Sequence, residues 1–284
     1  MELAENKYLM FCKDKEIEDI FDLKFYHPFG YRFALIFNRL GFSPNTVSII
    51  GMFVGILGGF LIYYDFLFLG AIFIVLASVL DSSDGQLARM TGKKSIYGRI
   101  IDGLAGYLMF GFIYLVIGIK YFKTTGYISF ILMIIAGLSN IIHSSVYDFY
   151  RTAIIHISKN KFDELYNYGS GMMKKIYIFY SSYQKAICSV HMEYIKNIVE
   201  KKNSILSDSE ILEYRKKMLS NIQFINLLGD NWKINGIIIL SFFGRIELFF
   251  LYVIVVLNIA FIFAIIRQRR IDEELYKKIS FTGG

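Results

Sequence analysis

The stretch that ends the apolar run 71–80 reads DSSDGQLARMTGKKSIYGRIIDGLAG, from Asp81 to Gly106. At 100° per residue, Asp81 and Asp84 share one helical face, and Asp102 and Gly106 share a face of a following helix. A short turn between these helices would bring the carboxylates together. Carboxylates at the end of an apolar, membrane-length run are costly unless they are paired or functional. The stretch therefore predicts a cation site at a membrane surface, and an interfacial ion pair with a nearby Arg or Lys is the alternative.

Composition indicates a polytopic membrane protein. The chain has 284 residues, 55% of them hydrophobic, with 27 Phe, 21 Tyr and only 2 Pro, and its mean hydropathy is +0.46. These values are too apolar for an ordinary soluble domain. Cys12 and Cys188 are isolated in the sequence, so neither a disulfide framework nor a zinc site is expected. The first forty residues have no short apolar segment of the signal-peptide type, so we expect no removable signal.

The apolar segments predict an all-α fold with six transmembrane helices. A span needs about 20 mostly apolar residues. A single helix over 234–266 would be roughly 50 Å long, well beyond the hydrocarbon core, so this stretch is divided. The predicted spans are 47–64, 66–88, 97–119, 127–146, 222–243 and 248–266.

Basic residues predict the orientation of these spans. Six Lys and Arg residues precede Pro44, Lys93 and Lys94 lie between the second and third spans, and three Arg residues follow the sixth. Because Lys and Arg near span ends remain in the cytoplasm, these segments and the carboxylate site should face it. The chain has a net charge of +7, and its basic residues lie beside apolar spans. This placement favours anionic lipid headgroups over nucleic acid as the partner.

The predicted organisation has five parts. Ser207 and Glu210 form a capping-box pattern that predicts a helix start inside the third part. The parts are a cytoplasmic N-terminal segment with an interfacial helix (1–44), a four-span core carrying the motif (45–148), a cytoplasmic helical insertion (149–220), the fifth and sixth spans (221–266) and a cytoplasmic tail (267–284).

The motif resembles the signature of the CDP-alcohol phosphotransferase (CDP-alcohol phosphatidyltransferase) family. That signature is D-x2-D-G-x2-A-R, eight residues, then G-x3-D-x3-D. Seven of its eight fixed positions are present, and the eighth, the fourth aspartate of the family, is Gly106. The seven matching residues are Asp81, Asp84, Gly85, Ala88, Arg89, Gly98 and Asp102. The resemblance implies an integral-membrane enzyme of phospholipid synthesis.

The resemblance also implies a metal site. In the family the first three aspartates bind one divalent ion, so Asp81, Asp84 and Asp102 would be its ligands here. A second ion, which in the family also uses the fourth aspartate, would retain only Asp81 and Asp102. Oxygen ligands suit Mg²⁺ or Mn²⁺, both of which take further ligands from water and substrate phosphate.

The fourth aspartate is also the general base of the family, and glycine cannot replace it. Loss of a positioned base typically costs about 10²- to 10⁴-fold in rate. His143 and Asp148, near the predicted inner end of the fourth span, are the candidate substitutes. Three interpretations follow: a slow or altered transferase, a binding protein without turnover, or a chain carrying an inactivating change.

The implied reaction moves a substituted phosphate from a CDP-alcohol, such as CDP-diacylglycerol, to a hydroxyl acceptor and releases CMP. We expect a multi-pass protein of the cell (inner) membrane with its active site facing the cytoplasm. Because members of the family often pair, a homodimer is also expected. The expected substrate contacts are Asn45, Ser48, Gly85, Ala88, Arg89, Ser95 and Gly98.

Overall fold

The computed structural model describes residues 7–12, 14–93, 96–162, 186–202 and 205–281, and these residues form helices and turns. The chain divides into two compact units. The first comprises Met1–Leu138 with Asn231–Ile254, and the second comprises Ser139–Asp230 with Val255–Gly284. The principal helices are α1 (His27–Arg39), α2 (Pro44–Tyr63), α3 (Leu67–Met90), α4 (Ile96–Thr125), α5 (Tyr127–Ile157), α6 (Ser189–Lys202), α7 (Asp208–Asn226), α8 (Asp230–Phe242) and α9 (Asn258–Phe281).

The helix lengths confirm an all-α polytopic membrane protein. Within the described residues, five helices are long and apolar enough to cross a membrane. The helix of the predicted fourth span begins at Tyr127 as expected and continues to Ile157. The predicted sixth span lies inside a helical stretch that joins a π-helical segment, Tyr252–Leu257, to α9. The five are Pro44–Tyr63, Leu67–Met90, Ile101–Thr125, Tyr127–Ile157 and Ile246–Lys278.

The predicted fifth span, 222–243, does not form one helix. α7 ends at Asn226 and α8 begins at Asp230. The N–H of Gly229 turns back to the Asn226 carbonyl at 3.0 Å, and Asp230 provides an acidic first turn for α8. At 13 residues, α8 is shorter than the roughly 20 residues that a membrane crossing needs. The Gly-Asp pair separates two helices that the hydropathy pattern joins.

In the first unit, α2 and α3 form a close antiparallel hairpin. Their backbones approach at Gly58 and Gly70, where a β-carbon on either residue would lie within 3.0 Å of the other's carbonyl oxygen. The turn between them places Asp65 at φ 68°, and Lys120 Nζ of α4 contacts Asp65 Oδ1 at 2.6 Å. The hairpin therefore holds α3, the helix that carries the first motif carboxylates, against α2.

Gly70→Ala is expected to destabilise this hairpin by about 1–3 kcal/mol, the usual cost of overpacking. The added methyl would lie 2.6 Å from the backbone oxygen of Gly58, and backbone cannot move aside as a flexible side chain can. Thermal unfolding of the purified protein measures the effect. Gly111→Ala is the matched control, because its methyl would meet no described atom within 4 Å. Equal melting temperatures for the two variants would contradict the close approach.

The second unit contains the predicted capping box and a buried polar cluster. Ser207 Oγ accepts from the Glu210 N–H, and Glu210 Oε2 accepts from the Ser207 N–H. This geometry confirms the predicted helix start, and α7 continues to Asn226. Asp272 of α9 accepts from Tyr150 and contacts the His191 ring at 2.8 Å. The carboxylate thereby joins α5, α6 and α9.

Candidate metal and nucleotide site

Three carboxylates of the motif meet at one point of the first unit. One ligand oxygen from each of Asp81, Asp84 and Asp102 lies within 4.8 Å of the others. Asp81 and Asp84 lie in the last turns of α3, and Asp102 lies in the first turns of α4. Gly92, at φ +68°, takes the left-handed conformation that often follows a helix end. Two helices that follow one another in the chain thus bring the acids together, as the spacing predicts.

The carboxylate cluster suits a divalent cation. Mg²⁺ and Mn²⁺ prefer oxygen ligands, and Mg²⁺ retains waters or substrate phosphate oxygens beside one or two carboxylates. Asp84 is buried, Asp102 is partly buried and Asp81 is exposed, so the cluster has an interior side and an open side. The open side leaves room for a phosphate ligand.

Arg89 lies beside the cluster on α3. A β-carbon added at Gly85 would lie 3.3 Å from Arg89 Nη1 and 3.4 Å from Nη2, so the guanidinium covers Gly85. The Nε of Arg89 donates to the carbonyl oxygen of Phe11. With Nε engaged by the backbone, the terminal nitrogens remain the part of the fork suited to a phosphate.

The other predicted contact residues remain predictions. Asn45 and Ser48 lie at the start of α2, where the Ser48 hydroxyl donates to the Pro44 carbonyl at 3.2 Å. Ala88 and Gly98 are partly buried on α3 and α4. Ser95 lies outside the described residues.

Gly106 lies one turn after Asp102 on α4. A β-carbon there would meet no described atom within 4 Å, so the position has space for a side chain. Of the proposed substitutes, His143 contacts Asn258 Oδ1 through Nε2 at 2.8 Å, and Asp148 is exposed. Both belong to the second unit.

Sequence reasoning missed a set of contacts to α3 from the N-terminal segment. His27, at the start of α1, contacts Ser82 through Nδ1 at 2.8 Å, and Gln86 Nε2 donates to the His27 carbonyl at 3.0 Å. Ser82 and Gln86 are polar residues four positions apart inside the motif, which is a signal that this face of α3 contacts something polar.

These features define a polytopic membrane protein with a candidate divalent-cation site at the ends of two membrane-length helices. Residues 42–178 match the family model described as CDP-alcohol phosphatidyltransferase. The matched segment contains the three carboxylates, Arg89 and Gly106. This segment, slightly less than half of the chain, is similar to that family.

Curated relatives match over a shorter region. The chain is 38% identical over 63 residues to an archaetidylinositol phosphate synthase of Pyrococcus horikoshii, covering 22% of this chain and 34% of the relative. It is 38% identical over 73 residues to a phosphatidylinositol phosphate synthase of Streptomyces avermitilis, covering 25% and 29%. The chain thus spans about a third of the length of these relatives. No solved structure matches it.

Proposed function

We propose that the chain is a membrane transferase that moves a substituted phosphate from a CDP-alcohol to a hydroxyl acceptor, with release of CMP, in phospholipid synthesis. The observation that carries this proposal is the meeting of Asp81, Asp84 and Asp102 within 4.8 Å, inside the segment that the family model matches. A cation-binding arrangement of acids beside an arginine suits a pyrophosphate substrate.

The site residues have two proposed roles, binding the cation and positioning the substrate phosphates. Asp81, Asp84 and Asp102 would hold Mg²⁺ or Mn²⁺, which neutralises charge on a bound pyrophosphate and on the departing CMP. Arg89 would bind phosphate oxygens through its terminal nitrogens, and Gly85, which has no side chain, lets the guanidinium lie close to the backbone of α3. This division leaves most of the catalysis to electrostatics and orientation rather than to proton transfer.

Chemistry and the names of the relatives guide the choice of the first donor and acceptor to test. CDP-diacylglycerol is the first donor to test, because a lipid-linked donor would reach a site at a membrane surface. Two relatives are named archaetidylinositol phosphate synthase and phosphatidylinositol phosphate synthase, so an inositol phosphate is the first acceptor to test. The proposed location is the inner membrane, with the site on the cytoplasmic side where the basic segments lie.

A second candidate function is supported by Gly106. In this alternative the chain binds CDP-lipid and metal without turnover, because position 106 carries no carboxylate. The first proposal instead requires slow turnover, or a base supplied by His143 or Asp148. The two functions differ in product formation and agree in metal-dependent nucleotide binding.

CMP release distinguishes the two functions. The full chain, purified and reconstituted in liposomes, is given CDP-diacylglycerol, inositol phosphate and Mg²⁺. We expect CMP to appear at a rate that falls to background when EDTA removes the metal. Magnesium-dependent CDP binding without CMP, from any donor and acceptor pair, would support the binding protein. Absence of both CMP and metal-dependent CDP binding would overturn both functions.

A further inference from the structure

The N-terminal segment contacts α3 beside the cation site. His27 joins Ser82 at 2.8 Å and receives a hydrogen bond from Gln86 at its carbonyl oxygen. Gln86 Nε2 also donates to Ser82 Oγ at 3.2 Å. The close approach of α1 and α3 depends on Gly30, where a β-carbon would lie 2.8 Å from Ser82 Oγ. The contact is therefore both hydrogen-bonded and tightly packed.

These contacts occupy a separate stripe of α3. Ser82, Gln86 and Arg89 are spaced by four and three residues, so they form one stripe along the helix. Asp81 precedes Ser82 by one position, which places its side chain about 100° around the helix axis. The N-terminal segment thus contacts the face of α3 next to the face that carries the metal ligands.

A buried interaction between Glu18 and His27 stabilises the contact of the N-terminal segment with α3. The Glu18 side chain is 5% exposed and lies 3.7 Å from His27 Nε2, measured from Oε1. Burial alone would lower the pKa of His27, but interactions with Cys12 and Glu18 outweigh it and raise the pKa to about 9. His27 is then an imidazolium at neutral pH, and both of its ring nitrogens are donors. Removing one partner of such a buried pair is strongly destabilising, because it leaves the other charge buried without compensation. The pair therefore favours the folded arrangement in which Glu18 and His27 stay together.

We propose that His27 is a positioning residue for the cation site. Held by Glu18, it fixes Ser82 and Gln86 and thereby sets the rotation of α3 that places Asp81 and Asp84 beside Asp102. A second attachment, from the Phe11 carbonyl to Arg89 Nε, extends the same contact one turn along the helix. The proposal rests on the proposed function, since it concerns the cation site of that function.

Manganese binding by the full chain tests the proposal without reference to turnover. Electron paramagnetic resonance of Mn²⁺ in the purified protein gives a Kd for each variant. We expect His27→Ala and Ser82→Ala to weaken Mn²⁺ binding about 10-fold or more, as loss of residues that orient metal ligands does. Ser78→Ala is the matched control, because its hydroxyl bonds the Ile74 carbonyl of its own helix at 3.3 Å; its Kd should equal that of the wild type.

Two further variants separate positioning from general stability. His27→Asn keeps an N–H donor near the place of Nδ1, and we expect it to recover part of the lost affinity at the same folded fraction. Glu18→Gln should weaken binding in the wild type and have little added effect in His27→Ala, since coupled residues are not additive. Independent, additive effects, or an unchanged Kd in folded His27→Ala, would overturn the proposal.

The cation site itself is tested separately. Wild-type protein that binds no Mn²⁺ would contradict the proposed function, and the positioning role with it. Wild-type protein that binds Mn²⁺, together with His27→Ala that binds equally well, would contradict only the positioning role. Should His27→Ala fail to fold, Gly30→Ala provides the same test, because its methyl would press on Ser82 and Gln86.

Discussion

Gly106→Asp is expected to raise the rate of CMP release by about 10²- to 10⁴-fold, the usual contribution of a positioned general base. The added side chain has space, because a β-carbon at position 106 meets no described atom within 4 Å. It would project from α4 one turn after Asp102, on nearly the same face. A carboxylate there would accept the acceptor's proton, as the family resemblance implies.

Two control variants isolate the effect of the carboxylate. Gly106→Asn has nearly the same size and removes glycine from the helix interior, but it is not a base. Gly103→Asp makes the same substitution at another open position of α4, about 100° around the helix from Asp102. We expect neither to raise the rate. A gain as large in Gly106→Asn as in Gly106→Asp would show that proton transfer to position 106 is not what the chain lacks.

If Gly106→Asp leaves the rate unchanged and the wild type has measurable turnover, the general base would have to be His143 or Asp148. The His143 ring belongs to a polar network in which Asn258 donates to Ser139 Oγ at 3.0 Å. Loss of turnover on substituting His143 or Asp148 would then identify the substituted residue as the base. In the expected case, with Gly106→Asp strongly activated, these substitutions leave its CMP release largely intact.

Much of the site is predictable from sequence because it depends on local geometry. The steps between Asp81, Asp84 and Asp102 fix helical faces, and a short turn between two helices leaves those faces few ways to meet. The structure confirms that they do meet. Membrane-length helices are likewise predictable, because hydrocarbon thickness imposes a minimum apolar length.

The missed features depend on information that periodicity does not carry. The helix break at Gly229 lies inside a stretch that the hydropathy pattern predicts as one continuous span. The contact between His27 and Ser82 joins residues 55 positions apart, and no local pattern specifies which helix α1 approaches. A glycine such as Gly30 permits close approach of another helix, but the glycine alone does not identify which helix approaches.

Asp84→Asn is expected to abolish the stabilisation that Mg²⁺ gives the protein while making the metal-free protein more stable. Three carboxylates within 4.8 Å repel one another, the single Arg89 guanidinium beside them offsets only part of this charge, and Asp84 is the buried member. Replacing it by a neutral amide relieves that repulsion and removes a ligand. At a cation concentration 100 times the Kd, binding to the folded state alone adds about 2.7 kcal/mol.

Thermal unfolding with and without Mg²⁺ measures both effects. The wild-type melting temperature should rise with Mg²⁺, whereas that of Asp84→Asn should be higher without the metal and should not respond to it. Asp208→Asn is the matched control, because it makes the same change at an exposed position in the first turn of α7; its response to Mg²⁺ should match the wild type. An equal Mg²⁺ response in Asp84→Asn would remove Asp84 from the ligand set. A lower metal-free stability would show that the buried carboxylate makes favourable contacts that outweigh its repulsion from Asp81 and Asp102.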